Sequence, residues 1–194
     1  MKLIKDYLLD NAERIANQSY SNCHAVGVTS LLLMPGVRLF YAHYNHGLWG
    51  GTPSVGFRKM SPLPVAYHSH NNQLNVQVLS GTIVNSVLVG GINRFDVFRH
   101  TSGITSSLAF ERVGEANFSV LDKTYEKDQT FSLNNEKHTV FVNRFEEACW
   151  LIFEGASIEN DSLVYTNRDL SSEDFSHLYQ KVTPYDVIQI AKVL

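Results

Sequence analysis

Residues 64–81 read PVAYHSHNNQLNVQVLSG and hold the most informative pattern of the chain. From Leu74 onward, apolar and polar residues alternate up to the pair Ser80-Gly81, which predicts a strand that ends in a turn. Just before it, His68 and His70 are two positions apart, and residues at i and i+2 of a strand point to the same side. The pair alone is also typical of a polar loop, but in this context it predicts two imidazoles that converge on one point.

Short runs of alternating apolar and polar residues also occur on both sides of this stretch. Turn residues such as Pro35-Gly36, Gly90-Gly91 and Asn134-Asn135 separate the runs. The predicted strands lie near residues 26–34, 37–45, 54–60, 65–70, 74–79, 82–90, 107–112, 117–121, 129–133, 138–143 and 147–154. Many short strands at this spacing predict a mainly β protein, either a sandwich or a barrel.

Helical patterns flank the strands. Apolar residues recur at spacings of three and four over residues 2–17, and a second helical region covers 171–193. Within it, Thr183 and Pro184 have the residue types of an N-cap and a first helical position. We therefore predict a single domain over residues 1–194, with a barrel at about 24–155 and short helices at both ends.

The composition argues against several classes of protein. The chain has 194 residues, of which 44% are hydrophobic, and a net charge of −3, which argues against nucleic-acid binding. No apolar run approaches the roughly 20 residues of a membrane span, and the N-terminus has no small-residue cleavage site of a signal peptide. Cys23 and Cys149 make no disulfide framework. We expect a cytoplasmic protein that binds neither membranes nor nucleic acids.

A third histidine strengthens the interpretation of the first two. His138 opens the predicted strand HTVFVN at 138–143. With His68 and His70 it predicts a three-histidine site on the inner wall of the barrel. Neutral imidazoles suit Fe, Ni, Cu or Zn rather than Mg or Ca, and three protein ligands leave room for a substrate.

The histidines and their spacing resemble the first motif of the cupin superfamily. That motif has His-x-His, a glutamate four or five residues later and then a glycine, and His68, His70 and Gly81 fit it. Leu74, or Asn75 in the alternative spacing, stands where the motif has its glutamate ligand. The resemblance implies a double-stranded β-helix, the jelly-roll barrel of cupins. Gln73 or Asn75 could serve as a weak fourth ligand, as a hydrogen-bond partner of the site, or as plain surface.

The second cupin motif places a histidine three residues after a glycine and four residues before an asparagine. His138 fits this pattern, Asn135 occupies the glycine position, and Asn143 lies one residue late. Cupins with three histidines and no carboxylate ligand include the thiol dioxygenases. The resemblance implies a non-haem Fe(II) oxygenase that acts on a small thiol or another small anionic substrate, with Zn, Ni or Mn as other candidate metals.

Two other functions remain open at this point. One is a non-oxidative metal-dependent cupin enzyme such as an isomerase or lyase, and the other is a cupin that binds a small ligand without catalysis. A homodimer through exposed edge strands is also open.

Two residues of the predicted strand 37–45 are candidates for catalysis. Tyr41 and His43 share one face of this strand with Leu39. If that face lines the barrel, Tyr41 can hydrogen-bond to substrate or oxygen; otherwise it is a packed core tyrosine. His43 stands where the thiol dioxygenases have the arginine that binds the substrate carboxylate, and the same alternation predicts that Arg38 lies outside the barrel.

Overall fold

The computed structural model describes residues 1–23, 27–42, 67–100, 110–142, 146–157, 163–166 and 179–194. These residues form a mainly β protein with helices near both ends. The helices are α1 (Lys2–Asp10), α2 (Ala12–Asn17) and α3 (Pro184–Val193), and the strands are β1 (Tyr20–Ser21), β2 (Val28–Met34), β3 (Val37–Ala42), β4 (Tyr67–His68), β5 (Asn72–Ser80), β6 (Thr82–His100), β7 (Phe110–Glu126), β8 (Thr130–Leu133), β9 (His138–Val142), β10 (Ala148–Ser157), β11 (Leu163–Thr166) and β12 (Gln180–Lys181).

Both helical predictions are confirmed in part. Tyr179 has a positive φ and Gln180–Lys181 form β12, so within the described residues the C-terminal helix begins only at Pro184. The region 2–17 is not one helix, because Asn11 divides it into α1 and α2. The Asn11 amide donates to the Tyr7 carbonyl at 2.9 Å, the kind of local bond by which asparagine competes with helical pairing. At the other end, Thr183 and Asp186 form a capping box around Pro184. Among the described residues, no helix is long and apolar enough to span a membrane.

The described strands form two antiparallel sheets. The larger has the order β12-β1-β2-β3-β10-β5-β8, and the smaller has the order β11-β4-β9-β6-β7, with a further pairing of β11 to β6. From β3 to β10 the chain passes repeatedly between the sheets. Among the described strands of this stretch, only β6 and β7 are consecutive in the chain and paired in one sheet. The predicted strand 54–60 and the first part of the predicted C-terminal helix lie outside the described residues.

The larger sheet buries apolar side chains on both of its faces. On one face, Leu39 and Tyr41 of β3 pack in a cluster with helix residues such as Leu8 and Ile190. On the other face, neighbours such as Phe40 pack in a second cluster between the two sheets. Period-two alternation is lost when both faces are apolar, so the sequence pattern did not reveal which face of β3 is the inner one.

Two predicted boundaries are wrong. The predicted strands 107–112 and 117–121 are joined in one strand, β7. Gly90-Gly91 does not end a strand, because β6 runs through it and pairs with β7 on both sides, with a register shift between Gly90 and Asn93. A Cβ on Gly91 would lie 2.1 Å from the Ser119 Oγ. Glycine here therefore serves a bulge and a close approach of two strands rather than a turn.

Candidate metal centre

His138 is held in the space between the two sheets. It begins β9, and alternation puts it on the same face as Val142, which packs in the inter-sheet cluster. Its side chain is only 4% exposed. An imidazole in this position belongs to the interior of the molecule rather than to a surface loop.

His68, at the end of β4, points to the same side of its sheet as His138. It lies directly opposite His138 in the antiparallel pairing of β4 and β9, and opposed residues share one face of a sheet. The residue after it, Ser69, is tied to β11: the Ser69 N–H donates to the Leu163 carbonyl at 3.0 Å, and the Leu163 N–H donates to the Ser69 Oγ at 3.0 Å. These two bonds fix the backbone between His68 and His70.

The three predicted histidines come together as a group. One ring nitrogen from each of His68, His70 and His138 lies within 4.8 Å of the others. The Nε2 atoms of His70 and His138 are 2.8 Å apart. Two nitrogens that bind one metal at about 2.1 Å can be no more than about 4.2 Å apart, so small ring rotations suffice to bring all three to a single ion. The donor set fits a divalent transition metal.

The charge of the site is set by burial. Desolvation lowers the pKa of His70 from 6.5 to about 4, because the buried environment disfavours the imidazolium. The ring is therefore neutral at pH 7 and offers a lone pair without first losing a proton. Within the described part of the chain, no carboxylate joins the three histidines. A divalent ion held here would keep its full positive charge.

No protein-family model matches this sequence, and no curated protein matches it. The chemistry of the three histidines and of their neighbours therefore carries the functional conclusion.

A fourth site residue was not predicted from the sequence. Asn85 of β6 is 3% exposed, and its Oδ1 lies 2.7 Å from the Nδ1 of His138. The signal was available, because Asn85 is a polar residue between the apolar residues Ile83 and Val87 on one face of a predicted strand. A polar residue at a core-facing position needs a buried partner.

Tyr41 is not brought together with the histidines. Its ring packs in the helix-side cluster, 3% exposed, and its hydroxyl donates to the Glu147 Oε2 at 3.1 Å. Burial, reinforced by the negative charge of Glu147, raises the pKa of this hydroxyl above its usual value. Of the two alternatives left open for Tyr41, these contacts favour the packed tyrosine. His43 lies outside the described residues.

Alternation along β3 predicts that the face carrying Arg38 is the outer one, but in the structure this face points toward the second sheet. Arg38 shares the inter-sheet face with Phe40, at the strand end, which corrects its predicted position outside the barrel. Its guanidinium pairs there with Glu154, with the Nε atom 3.4 Å from Oε1.

The carboxylate position of the cupin motif is apolar here. Leu74 is 4% exposed and packs in the inter-sheet cluster. Asn75 is exposed, and its Oδ1 accepts a hydrogen bond from the Ser132 hydroxyl at 2.7 Å. Asn75 therefore faces away from the interior, and alternation along β5 puts Gln73 on the same side.

Both cysteines are free and buried. Desolvation raises the pKa of each thiol to about 12, so neither is a thiolate at neutral pH. Cys149 is the small core residue that its alternation with Leu151 predicts.

Proposed function

We propose that this chain is a metal-dependent cupin enzyme in which His68, His70 and His138 bind one Fe(II) ion and a small thiol is oxidised to its sulfinate. The observation that carries the proposal is the convergence of three imidazoles with no carboxylate beside them in the described residues. Such a donor set suits a redox-active transition metal and leaves coordination positions for a substrate.

The strand order supports the cupin part of the proposal. The strands from β3 to β10 supply four to each sheet, in the orders β3-β10-β5-β8 and β4-β9-β6-β7. This arrangement corresponds to the two four-stranded sheets of a jelly roll. His68 and His138 lie on the inner face of the second of these sheets, and His70 follows directly after β4; the barrel interior is where a cupin holds its metal.

The charge of the site supports an anionic substrate. Three uncharged ligands leave a divalent ion with its full charge in an interior position, and an anion such as a thiolate offsets that charge. The net reaction is RS⁻ + O₂ → RSO₂⁻, in which two S–O bonds form, the O–O bond breaks and sulfur supplies four electrons. A bound ferrous ion supplies Lewis acidity and redox activity for this reaction.

Residues of this chain set the charge, the geometry and the surroundings of the proposed site. His70 stays neutral because of its burial, and the Ser69 bonds to Leu163 fix the backbone that carries His68 and His70. The apolar inter-sheet cluster limits water around the site. His43 replaces the arginine of the thiol dioxygenases and lacks its bidentate fork, so we expect cysteamine to be oxidised at least as well as cysteine.

The test begins with elemental analysis of protein purified without a His-tag. Iron-loaded protein is then assayed for oxygen uptake with cysteine, 3-mercaptopropionate and cysteamine, and sulfinate is quantified by mass spectrometry. We expect one metal ion per chain and one sulfinate per O₂ consumed. His68→Ala should abolish both, whereas Asn75→Ala, which changes an exposed side chain of β5, should change neither.

Two outcomes would contradict the proposal. Protein that binds no metal excludes the site. Metal-loaded protein in which no thiol raises oxygen uptake above the iron-only control, with His68→Ala behaving as the parent, excludes the thiol oxygenase.

A further inference from the structure

Asn85 is an unusual residue for the inner face of its strand. Its backbone lies opposite Val140 in the pairing of β6 and β9, and Ile83, two residues earlier, is fully buried. The Asn85 side chain is itself 3% exposed. A buried amide without hydrogen bonds costs about 1–3 kcal/mol, so a site with this environment favours an apolar residue unless the amide has a specific partner.

That partner is the ring nitrogen of His138 that does not face the other histidines. The Asn85 Oδ1 and the His138 Nδ1 are 2.7 Å apart in a buried contact. An amide oxygen only accepts hydrogen bonds, so the proton of the neutral imidazole lies on Nδ1. The second nitrogen, Nε2, then carries the lone pair of the ring, and it is this atom that lies 2.8 Å from the Nε2 of His70.

We infer that Asn85 is a positioning residue: by accepting the Nδ1 proton of His138 it fixes the tautomer and the ring orientation in which Nε2 binds the metal. The inference rests on the proposed metal site. Asn85 touches His138 and not the ion, and it acts by preventing the opposite tautomer, in which Nε2 is protonated and cannot bind a metal. Partners of this kind typically change metal affinity by about 10–100-fold.

The amide also sets the charge of the centre. A neutral oxygen acceptor orients His138 without adding negative charge beside the metal. An aspartate in place of Asn85 would keep the acceptor, add a charge and make the His138 ring a stronger donor. Zinc affinity should therefore be highest in Asn85→Asp, intermediate in the parent and lowest in Asn85→Leu.

The experiment compares Asn85→Leu and Asn85→Asp with Ser86→Ala as the matched control. Ser86 is the next residue on β6, is fully buried and also makes side-chain hydrogen bonds, but to Tyr67 and Asp122 on the opposite face. Zinc affinity is measured by chelator competition at pH 7.5, with the melting temperature of each zinc-free variant recorded alongside. The His138 tautomer is determined by long-range ¹⁵N–¹H NMR on the zinc-free and zinc-loaded protein.

We expect Asn85→Leu to weaken zinc binding about 10–100-fold, Asn85→Asp to bind at least as tightly as the parent, and Ser86→Ala to bind like the parent. His138 should carry its proton on Nδ1 with and without zinc. A parent protein that binds no zinc overturns the metal site and this role with it. If the parent binds zinc, the role of Asn85 alone is overturned by equal affinity in Asn85→Leu, by equal losses in Asn85→Leu and Ser86→Ala, or by His138 protonated on Nε2.

Discussion

His68 lies directly opposite His138 across the β4–β9 pair, with their ring centroids 5.4 Å apart. The two residues are far apart in the sequence, and a single strand pairing brings them to one face of one sheet. The candidate metal centre therefore depends on the register between β4 and β9. A slip of one residue in this pairing would turn one of the imidazoles to the opposite face.

Replacing His138 with alanine should abolish metal-linked stability while keeping the β structure. In the parent, zinc at about 100 times its dissociation constant should add about 2.7 kcal/mol to the free energy of unfolding, because the ion binds only the folded chain. In His138→Ala this increment should disappear. Thermal unfolding with and without zinc measures it, and Asn75→Ala serves as the control that keeps the full increment. An undiminished zinc effect in His138→Ala would exclude His138 as a ligand.

Replacing Tyr41 with phenylalanine should affect stability and not metal binding. The variant loses the hydrogen bond from the hydroxyl to Glu147, which corresponds to about 1 kcal/mol. Because Tyr41 packs on the helix side of the larger sheet, zinc affinity and thiol-stimulated oxygen uptake should equal those of the parent. Chemical denaturation and chelator competition measure the two effects. A large loss of oxygen uptake with unchanged stability would instead restore the catalytic role predicted from the sequence.

The metal-free protein should lose stability as the pH falls from about 6.5 to about 4. In this window the unfolded chain protonates His70 and the folded chain does not, because burial lowers the pKa of this group to about 4. The unfolded state therefore binds more protons, and the contribution of this residue falls by up to about 3 kcal/mol between the two values.

His70→Asn isolates that contribution from those of other titrating groups. Denaturant unfolding of chelator-treated parent and variant at several pH values gives the difference in slope. We expect a shallower decline in the variant between pH 6.5 and 4. Parallel curves over this range would show that His70 titrates alike in the folded and unfolded chain.

Replacing Gly81 with alanine should lower the stability of the protein far more than replacing Gly90. Gly81 joins β5 to β6 with φ +72°, and a Cβ there would lie 2.0 Å from the Glu147 carbonyl oxygen. We expect Gly81→Ala to lower the free energy of unfolding by about 2–4 kcal/mol. A Cβ on Gly90 meets nothing within 4 Å, so Gly90→Ala should be neutral or slightly stabilising. Equal stability of the two variants in urea would contradict this difference.

Local patterns in the sequence predicted the elements that depend on local interactions. The alternation after Leu74 and the turn at Gly81 gave β5 and its connection to β6, and Thr183 with Pro184 gave the start of α3. The short strand β11 was missed, because four residues carry little periodicity and its partners, β4 and β6, are distant in the chain.

The sequence by itself determined a mainly β fold with helices at both ends, and it named the three histidines, because strand periodicity, turn residues and metal-binding residue types can all be recognised locally. Only the tertiary structure decided which face of each strand is interior. Both faces of β3 are apolar, so burial against helices rather than against the second sheet separated Tyr41 from the site. It also decided that Asn85 contacts His138, since a hydrogen bond between two strands depends on their register and not on either strand alone.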